Sequence, residues 1–243
     1  MEKEKFPVVE PLCRRLNVEY KNFRPKELDE FLFALDEKSL IVSAHNSYIF
    51  PRRVADKENL TIINFHNAYL PHYRGRNAPT WEIYNGEKFG GATWHFVNSG
   101  IDTGKIIVQE KVPVSENETA LSLLMKSAEA GISLFEKYFD TLTSATKGGG
   151  SEITGTGRLY LSHEIPNDGY FDLNWNFEKA YRFLRATDYH GADIMPRPKI
   201  ELNGKIYEIG DYEISDSQTD GDPKIFCIPS AEQNKFLICR LIE

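Results

Sequence analysis

Up to residue 142 the chain alternates short apolar segments with amphipathic helical ones. The helical segments include PKELDEFLFALD (25–36) and a long stretch over 115–142. Such alternation predicts an α/β fold built on a partly parallel, Rossmann-like sheet. The apolar segments have the length and composition of buried strands; they are SLIVSAH (39–45), TIINFH (61–66), GATWHFV (91–97) and KIIVQEKVPV (105–114).

Local patterns add detail to this sheet. A helix is expected over 7–17, followed by a short strand at VEYKNF (18–23). In the long helical stretch, Ser115 and Glu118 fit a capping box, which predicts where the helix begins. Its apolar spacing predicts one buried face, formed by Leu121, Leu124, Ala128, Ile132, Phe135, Phe139 and Leu142.

A segment rich in Gly, Ser and Thr, TSATKGGGSEITGTG (143–157), then interrupts the pattern. It is followed by one helix, NFEKAYRFLRATD (176–188), and by two hairpins, the first turning at Asn203-Gly204. We therefore expect three parts: a first domain over 1–145, a linker over 146–157, and a small α+β domain over 158–243.

Composition limits the class of function. The net charge of −7 argues against a protein that grips phosphate backbones. The three cysteines show no CxxC spacing, and the N-terminal MEKEKFPVVE has no apolar core of a signal peptide. We expect a cytoplasmic protein with reduced thiols and no membrane span. The six histidines show no metal-ligand spacing, so no metal is expected.

Polar side chains occupy the end of one predicted core strand. Asn64 and His66 are two residues apart, so on a strand they project from the same face. A buried polar group without a partner costs about 1–3 kcal/mol. These two are therefore either satisfied core residues or parts of a site at the carboxyl edge of the sheet.

Asp102 lies in the loop NSGIDTG (98–104), which could also be a plain hairpin turn. Taken together, an amide can donate to an oxyanion, an imidazole can move a proton, and a carboxylate can orient the imidazole and raise its pKa. The chain has no GxSxG motif, and no cysteine is near His66 in sequence. The substrate would then supply the nucleophile, which indicates acyl transfer between two bound molecules. His95, between Trp94 and Phe96, is interpreted as a partnered core residue.

NFHNAYLPHYRG (64–75) followed by IDTG (101–104) resembles the signature of the folate-dependent formyltransferases. The resemblance covers about residues 7–142, and it implies that the sheet lacks the first β-α-β unit of the family pattern. It also implies transfer of a formyl group from N10-formyltetrahydrofolate to a primary amine by Asn64, His66 and Asp102. The folate wall that it implies comprises Ser47, Tyr48, Ile49, Gly100 and Ile101.

Three branches of that family differ in the amine. A role in purine synthesis is disfavoured because the chain has no Gly-rich phosphate loop near its start. Methionyl-tRNA formylation stays an alternative, although the region after residue 157 is not basic. The segments 64–86 and 163–175 look most like enzymes for dTDP-linked amino-dideoxy sugars, with 4-amino-4,6-dideoxyglucose favoured. Such products would serve O-antigen or other surface polysaccharide synthesis.

The interpretation as a sugar-nucleotide enzyme assigns substrate-binding roles to further residues. Substrate contacts are expected from Tyr69, Arg74, Arg76 and Asn77, with the arginines facing the diphosphate. Asn77 would also cap the following helix. Tyr170, Phe171 or Trp175 would either stack on the thymine or belong to the core of the small domain. The resemblance implies a homodimer, and a non-catalytic folate- or nucleotide-binding scaffold is the rival from another class.

Overall fold

The computed structural model describes residues 9–219, 222–231 and 234–242. The helices are α1 (Val9–Arg15), α2 (Pro25–Ala34), α3 (Arg52–Ala55), α4 (Ala78–Tyr84), α5 (Ala120–Lys137), α6 (Phe139–Thr143) and α7 (Phe177–Thr187). The strands are β1 (Ser39–Ser43), β2 (Leu60–His66), β3 (Arg74–Gly75), β4 (Phe89–Phe96), β5 (Ile106–Pro113), β6 (Leu159–Tyr160), β7 (Lys199–Leu202), β8 (Lys205–Ser215), β9 (Ile225–Pro229) and β10 (Phe236–Ile242).

The first sheet has the order β1-β2-β4-β5 within the described residues. β1 runs parallel to β2, and the other two pairings are antiparallel. One face of this sheet packs on α5 through Phe65, Trp94 and Phe96. The approach is close at Gly131, because a Cβ there would lie 2.3 Å from the Phe65 ring. Strand alternation therefore turns Asn64, His66 and His95 to the opposite face.

The second sheet, β7-β8-β10-β9, is antiparallel throughout and packs on α7. The hairpin between β7 and β8 turns at Asn203 and Gly204, whose φ values of 52° and 76° fit a type I′ turn. Phe171 and Trp175 are buried in this core, so the core alternative holds for both of them. The predicted fold class, a partly parallel α/β sheet followed by a small α+β unit, is confirmed.

The strand expected at 18–23 is wrong. Those residues are irregular and mostly exposed, and none of the described strands pairs with them to supply the hydrogen bonds that a β conformation needs. The helix before it is present as α1, and residues 7 and 8 of the prediction lie outside the described residues. Two residues in the turn of the last hairpin, 232 and 233, also lie outside them.

The buried face of α5 also differs from the prediction. The helix is capped by Thr119, whose Oγ accepts from the Ser122 N–H at 3.2 Å, whereas Ser115 only donates to the Glu118 carboxylate. The face turned to the core is rotated by about one residue from the predicted one, and Ile132 and Phe139 are exposed, whereas Leu142 is buried as predicted. The residues that it buries are Ala120, Leu123, Ser127, Gly131 and Leu134.

The segment between the sheets is tied to both sides. Ser151 exchanges backbone hydrogen bonds with Ile106 of β5. Downstream, β6 pairs in parallel with β3, so residues 74–75 from the first part are fixed to residues 159–160. The domain boundaries themselves stay a prediction.

None of the helices in the described ranges combines the length and apolar content that a bilayer crossing requires.

Candidate active site

A cavity of about 530 Å³ opens at the carboxyl ends of β1 and β2. This is the edge at which open α/β sheets bind ligands, and the volume is that of a small-molecule site. Its walls come from the loops after β1, β2 and β4 and from the C-terminal half, which contributes residues 160–163 together with Tyr189 and Ile194. Both halves of the chain therefore contribute to it.

Four polar side chains meet in this cavity: Asn64, His66, His95 and Asp102. The strand register explains three of them, because Asn64 lies directly opposite His95 and His66 is two residues further on. A β-bulge between Trp94 and His95 in the pairing of β4 with β5 adjoins the site. Bulges are common beside active sites, where they redirect side chains.

His66 has a defined tautomer in this arrangement. Its Nε2 lies 2.8 Å from the backbone carbonyl of Tyr73, so Nε2 carries the proton and donates it. Nδ1 is then the basic nitrogen of the neutral ring, and it lies 3.6 Å from the Asp102 Oδ2. Tyr73 adopts a left-handed backbone (φ 54°), which presents its carbonyl to the ring.

Asp102 lies between two imidazole rings. Its Oδ1 is 3.4 Å from the His95 Nε2, and its Oδ2 accepts the Gly75 N–H at 2.7 Å. Burial would raise the pKa of Asp102, but the two rings and the Gly75 N–H outweigh it and hold the pKa below its ordinary value. Asp102 is therefore an anion at neutral pH.

Burial dominates at His66, which is only 5% exposed. It lowers the pKa of His66, and Asp102 and the Tyr73 carbonyl offset this only in part. Asp102 raises the pKa of His66, as expected of a neighbouring carboxylate, but desolvation is the larger effect and the net pKa is lowered. The ring is neutral at neutral pH, which is the form that accepts a proton.

Asn64 and His95 form the other half of the cluster. The Asn64 Nδ2 lies 3.2 Å from the His95 Nε2, while the His95 Nδ1 donates to the Phe96 carbonyl at 2.8 Å. The His95 ring therefore lies within hydrogen-bond distance of the Asn64 amide and fixes its position. One N–H of Asn64 remains free to donate toward the cavity.

The structure places most of the sequence-predicted binding residues on the same cavity. Those at its wall are Ser47, Tyr48, Ile49, Gly100, Ile101, Arg76 and Asn77. The Tyr48 hydroxyl is bonded to Asp29 of α2. Asn77 makes no capping hydrogen bond, because it adopts a left-handed backbone (φ 56°).

Tyr69 and Arg74 are not at this cavity. Tyr69 lines a second, smaller one, and the Arg74 guanidinium donates to the Gly157 carbonyl at 2.8 Å. The anchoring of Arg74 follows from the pairing of β3 with β6, which draws this residue toward the C-terminal half. The binding roles given to all these residues stay predictions.

Several residues of the cavity were missed by sequence reasoning. His95 was interpreted as core, although its place opposite Asn64 would follow once β2 and β4 are paired in register. Tyr160, His163, Tyr189 and Ile194 come from the C-terminal half, and no local pattern indicates that they reach the site. Within the described residues, no group of three or more His, Cys, Asp or Glu is arranged to hold a metal ion.

Comparisons of this chain with known families, sequences and structures all find the same kind of protein. The family described as "Formyl transferase" matches residues 2–137. The GDP-perosamine N-formyltransferase of Brucella melitensis biotype 1 is 29% identical over 188 residues, which cover 77% of this chain and 70% of the relative. The methionyl-tRNA formyltransferase of Desulfotalea psychrophila is 31% identical over 199 residues, covering 80% of this chain and 59% of the relative.

Among solved structures, the N-formyltransferase from Helicobacter canadensis, in complex with folinic acid and dTDP-3-aminofucose, has the same fold. Its TM-score is 0.70 at 19% identity, over 96% of this chain and 82% of that one. The prediction of an enzyme that transfers formyl groups is confirmed, and the chain belongs to the formyl transferase family.

Proposed function

We propose that the protein transfers a formyl group from N10-formyltetrahydrofolate to the amine of a dTDP-linked amino-dideoxy sugar, with 4-amino-4,6-dideoxyglucose as the favoured acceptor. The observation that carries this proposal is the convergence of Asn64, His66 and Asp102 at one cavity that both halves of the chain line. A protein without a catalytic role would have no physical need for this buried polar cluster.

The loops after β1 and β4 fit a folate. Ile49 and Ile101 both line the cavity and are exposed, at 68% and 37%. Apolar side chains in that position suit the faces of a flat bicyclic ring, and the neighbouring backbone of residues 47–49 and 100–101 suits its polar edge. We therefore assign the donor to this end of the cavity.

The reaction follows from the groups in the cluster. The amine attacks the formyl carbon, a new C–N bond forms, and the carbonyl oxygen becomes an oxyanion that the free Asn64 N–H stabilises. His66 accepts the amine proton on Nδ1, and the charged ring then lies beside the Asp102 carboxylate. His66 returns this proton to the departing folate nitrogen as the C–N10 bond breaks.

Arg76 is the positive group best placed for the acceptor diphosphate. It is exposed at the cavity wall, and its guanidinium donates to the Ser47 carbonyl at 3.0 Å, so it reaches across the mouth. An arginine presents several N–H donors that match phosphate oxygens. Residues 160–163, Tyr189 and Ile194 also line the cavity and are assigned to the sugar nucleotide.

The identity of the nucleotide is the finer part of the proposal. The Helicobacter canadensis structure holds dTDP-3-aminofucose, whereas the Brucella melitensis relative acts on a GDP sugar. Tyr160 and Tyr189 line the acceptor wall, but both are buried and Tyr160 already stacks on Trp81. The choice of dTDP therefore rests on the resemblance of segments 64–86 and 163–175 to enzymes for dTDP-linked sugars. We also propose that the protein acts in the cytoplasm and that it forms a homodimer. Sedimentation analysis would check the dimer.

The test is to incubate the protein with N10-formyltetrahydrofolate and a panel of acceptors, and to look for the added formyl mass. The panel holds dTDP- and GDP-linked amino sugars with the amine at C3 or C4, and methionyl-tRNA. Formylation of a dTDP-4-amino sugar alone is the expected result. Preference for a GDP sugar would overturn the nucleotide assignment, formylation of methionyl-tRNA would overturn the sugar assignment, and no product with any acceptor would overturn the function.

A further inference from the structure

A second cavity, of about 210 Å³, lies on the other side of Tyr73 from the active site. Tyr73 joins the two sites, because its backbone carbonyl accepts from His66 while its ring lines the second cavity. The formyl transfer proposed above takes place in the first cavity, and among the groups around the second cavity its steps involve only the Tyr73 carbonyl that holds His66. The polar and aromatic residues that line the second cavity therefore need a separate explanation.

The unusual group in this cavity is Glu82 of α4. Its side chain is only 1% exposed, and its Oε2 has no hydrogen-bond partner among the described residues. The carboxyl lies against Gly90, where an added Cβ would come within 2.5 Å of that oxygen. Burial, reinforced by the negative charge of Glu87, raises the pKa of Glu82 well above its ordinary value. A buried carboxyl without a partner is costly, so this one requires a compensating group.

The remaining walls indicate what kind of group compensates it. Tyr69, Tyr73 and Phe89 contribute aromatic rings, and Glu87 adds a second carboxylate that accepts from the Tyr73 hydroxyl at 2.7 Å. The rings of Tyr69 and Phe89 already attract a cation, since the Lys111 ammonium lies 5.3 Å and 5.4 Å from their centroids. Aromatic faces and carboxylates together are the surroundings that organic cations prefer.

We propose that the second cavity binds a small organic cation with a primary ammonium group, whose N–H donors pair with Glu82 and Glu87 and whose carbon atoms contact the rings. An ammonium group has three N–H donors and needs few acceptors, whereas a hard metal ion needs six or more oxygen ligands, which these walls do not offer. The side chain of Lys111 holds a similar position at the rings and competes with such a ligand. The proposal stands whether or not the acceptor of the formyl group is a sugar.

The test is an NMR titration of the full-length protein with methylammonium chloride, following the ring resonances of Tyr69 and Phe89. Sodium chloride is added to hold ionic strength constant, and tetramethylammonium chloride serves as the comparison because it has no N–H donors. We expect saturable shifts with methylammonium and at least about tenfold weaker binding of tetramethylammonium. Equal binding of the two cations, or no saturation with methylammonium, would overturn the proposal.

Two variants locate the binding. Glu82→Gln should weaken methylammonium binding about tenfold or more, whereas Glu129→Gln, an exposed glutamate on α5, should leave it unchanged. Lys111→Met removes the competing ammonium and should strengthen binding severalfold. If Glu82→Gln does not fold, Lys111→Met decides the matter, since unchanged or weaker binding in that variant would count against the site.

Discussion

The two cavities on either side of Tyr73 differ in how their polar groups are paired. In the first, Asp102 is bonded to Gly75 and flanked by His66 and His95, and each ring has a backbone carbonyl as partner. In the second, the Glu82 Oε2 has no partner among the described residues. Paired polar groups are already oriented for charge that develops only during a reaction, whereas an uncompensated carboxyl suits a ligand that brings its own charge.

Replacing His66 is expected to cause the largest loss of activity. It tests whether the paired polar groups of the first cavity are organised for a reaction. His66→Ala removes the base and proton carrier, so kcat/KM should fall about 10²–10⁴-fold in the formyl-transfer assay. His190→Ala, at an exposed histidine outside both cavities, is the matched control and should retain full activity. A His66→Ala enzyme within tenfold of the unmodified protein would show that the first cavity is not organised for proton transfer.

Asn64→Ala removes the donor to the oxyanion. We expect kcat to fall about 10²–10³-fold with little change in KM, because the interaction strengthens only in the transition state. Steady-state kinetics with the formyl acceptor varied would measure both constants. A rise in KM at constant kcat would instead assign Asn64 to ground-state binding.

Asp102→Asn is expected to change the pH profile. Neutral His66 is the active form, so activity rises as pH increases through its pKa, which burial places below the ordinary value. Asp102 raises that pKa, so its neutral replacement should move the acidic limb down by about one pH unit or more and lower the plateau roughly tenfold. A plot of kcat/KM against pH checks this. An acidic limb at the same pH in both proteins would show that Asp102 does not influence the pKa of His66.

Arg76→Met leaves the cluster intact and removes one charged contact to the acceptor. The KM for the nucleotide sugar should rise about tenfold, which corresponds to the loss of one charge-assisted hydrogen bond, while kcat changes little. The KM for the folate should stay the same. A selective rise in the folate KM would reverse the assignment of the two ends of the cavity.

Tyr73→Phe gives the smallest effect and tests the boundary between the cavities. It removes the bond from the Tyr73 hydroxyl to Glu87 but keeps the carbonyl that holds His66. Thermal or urea unfolding should show a loss of about 1 kcal/mol, with kcat/KM nearly unchanged. A large fall in kcat/KM would show that the ring, and not only the backbone, supports the active site.

Sequence reasoning could find Asn64 and His66 because a two-residue spacing on a strand fixes a shared face. Asp102 could be proposed as a partner from its Gly-flanked loop, which could equally be a plain turn, and the family resemblance decided between the two. His95 requires the register of β2 against β4, and the buried face of α5 depends on how the helix packs against Phe65 and Trp94 of the sheet. The strand expected at 18–23 failed for a similar reason, since a strand needs a neighbour and its own pattern cannot supply one.

The pairing of β3 with β6 has a consequence for engineering. Gly75 holds Asp102, yet Gly75 itself is fixed by residues 159–160, which follow the Gly-rich segment in the chain. Chimeras that exchange acceptor specificity by grafting a different C-terminal half must therefore preserve the pairing of residues 74–75 with residues 159–160. A crossover at residue 150 would replace residues 159–160 and is expected to displace Asp102, whereas a crossover after residue 162 would retain the pairing.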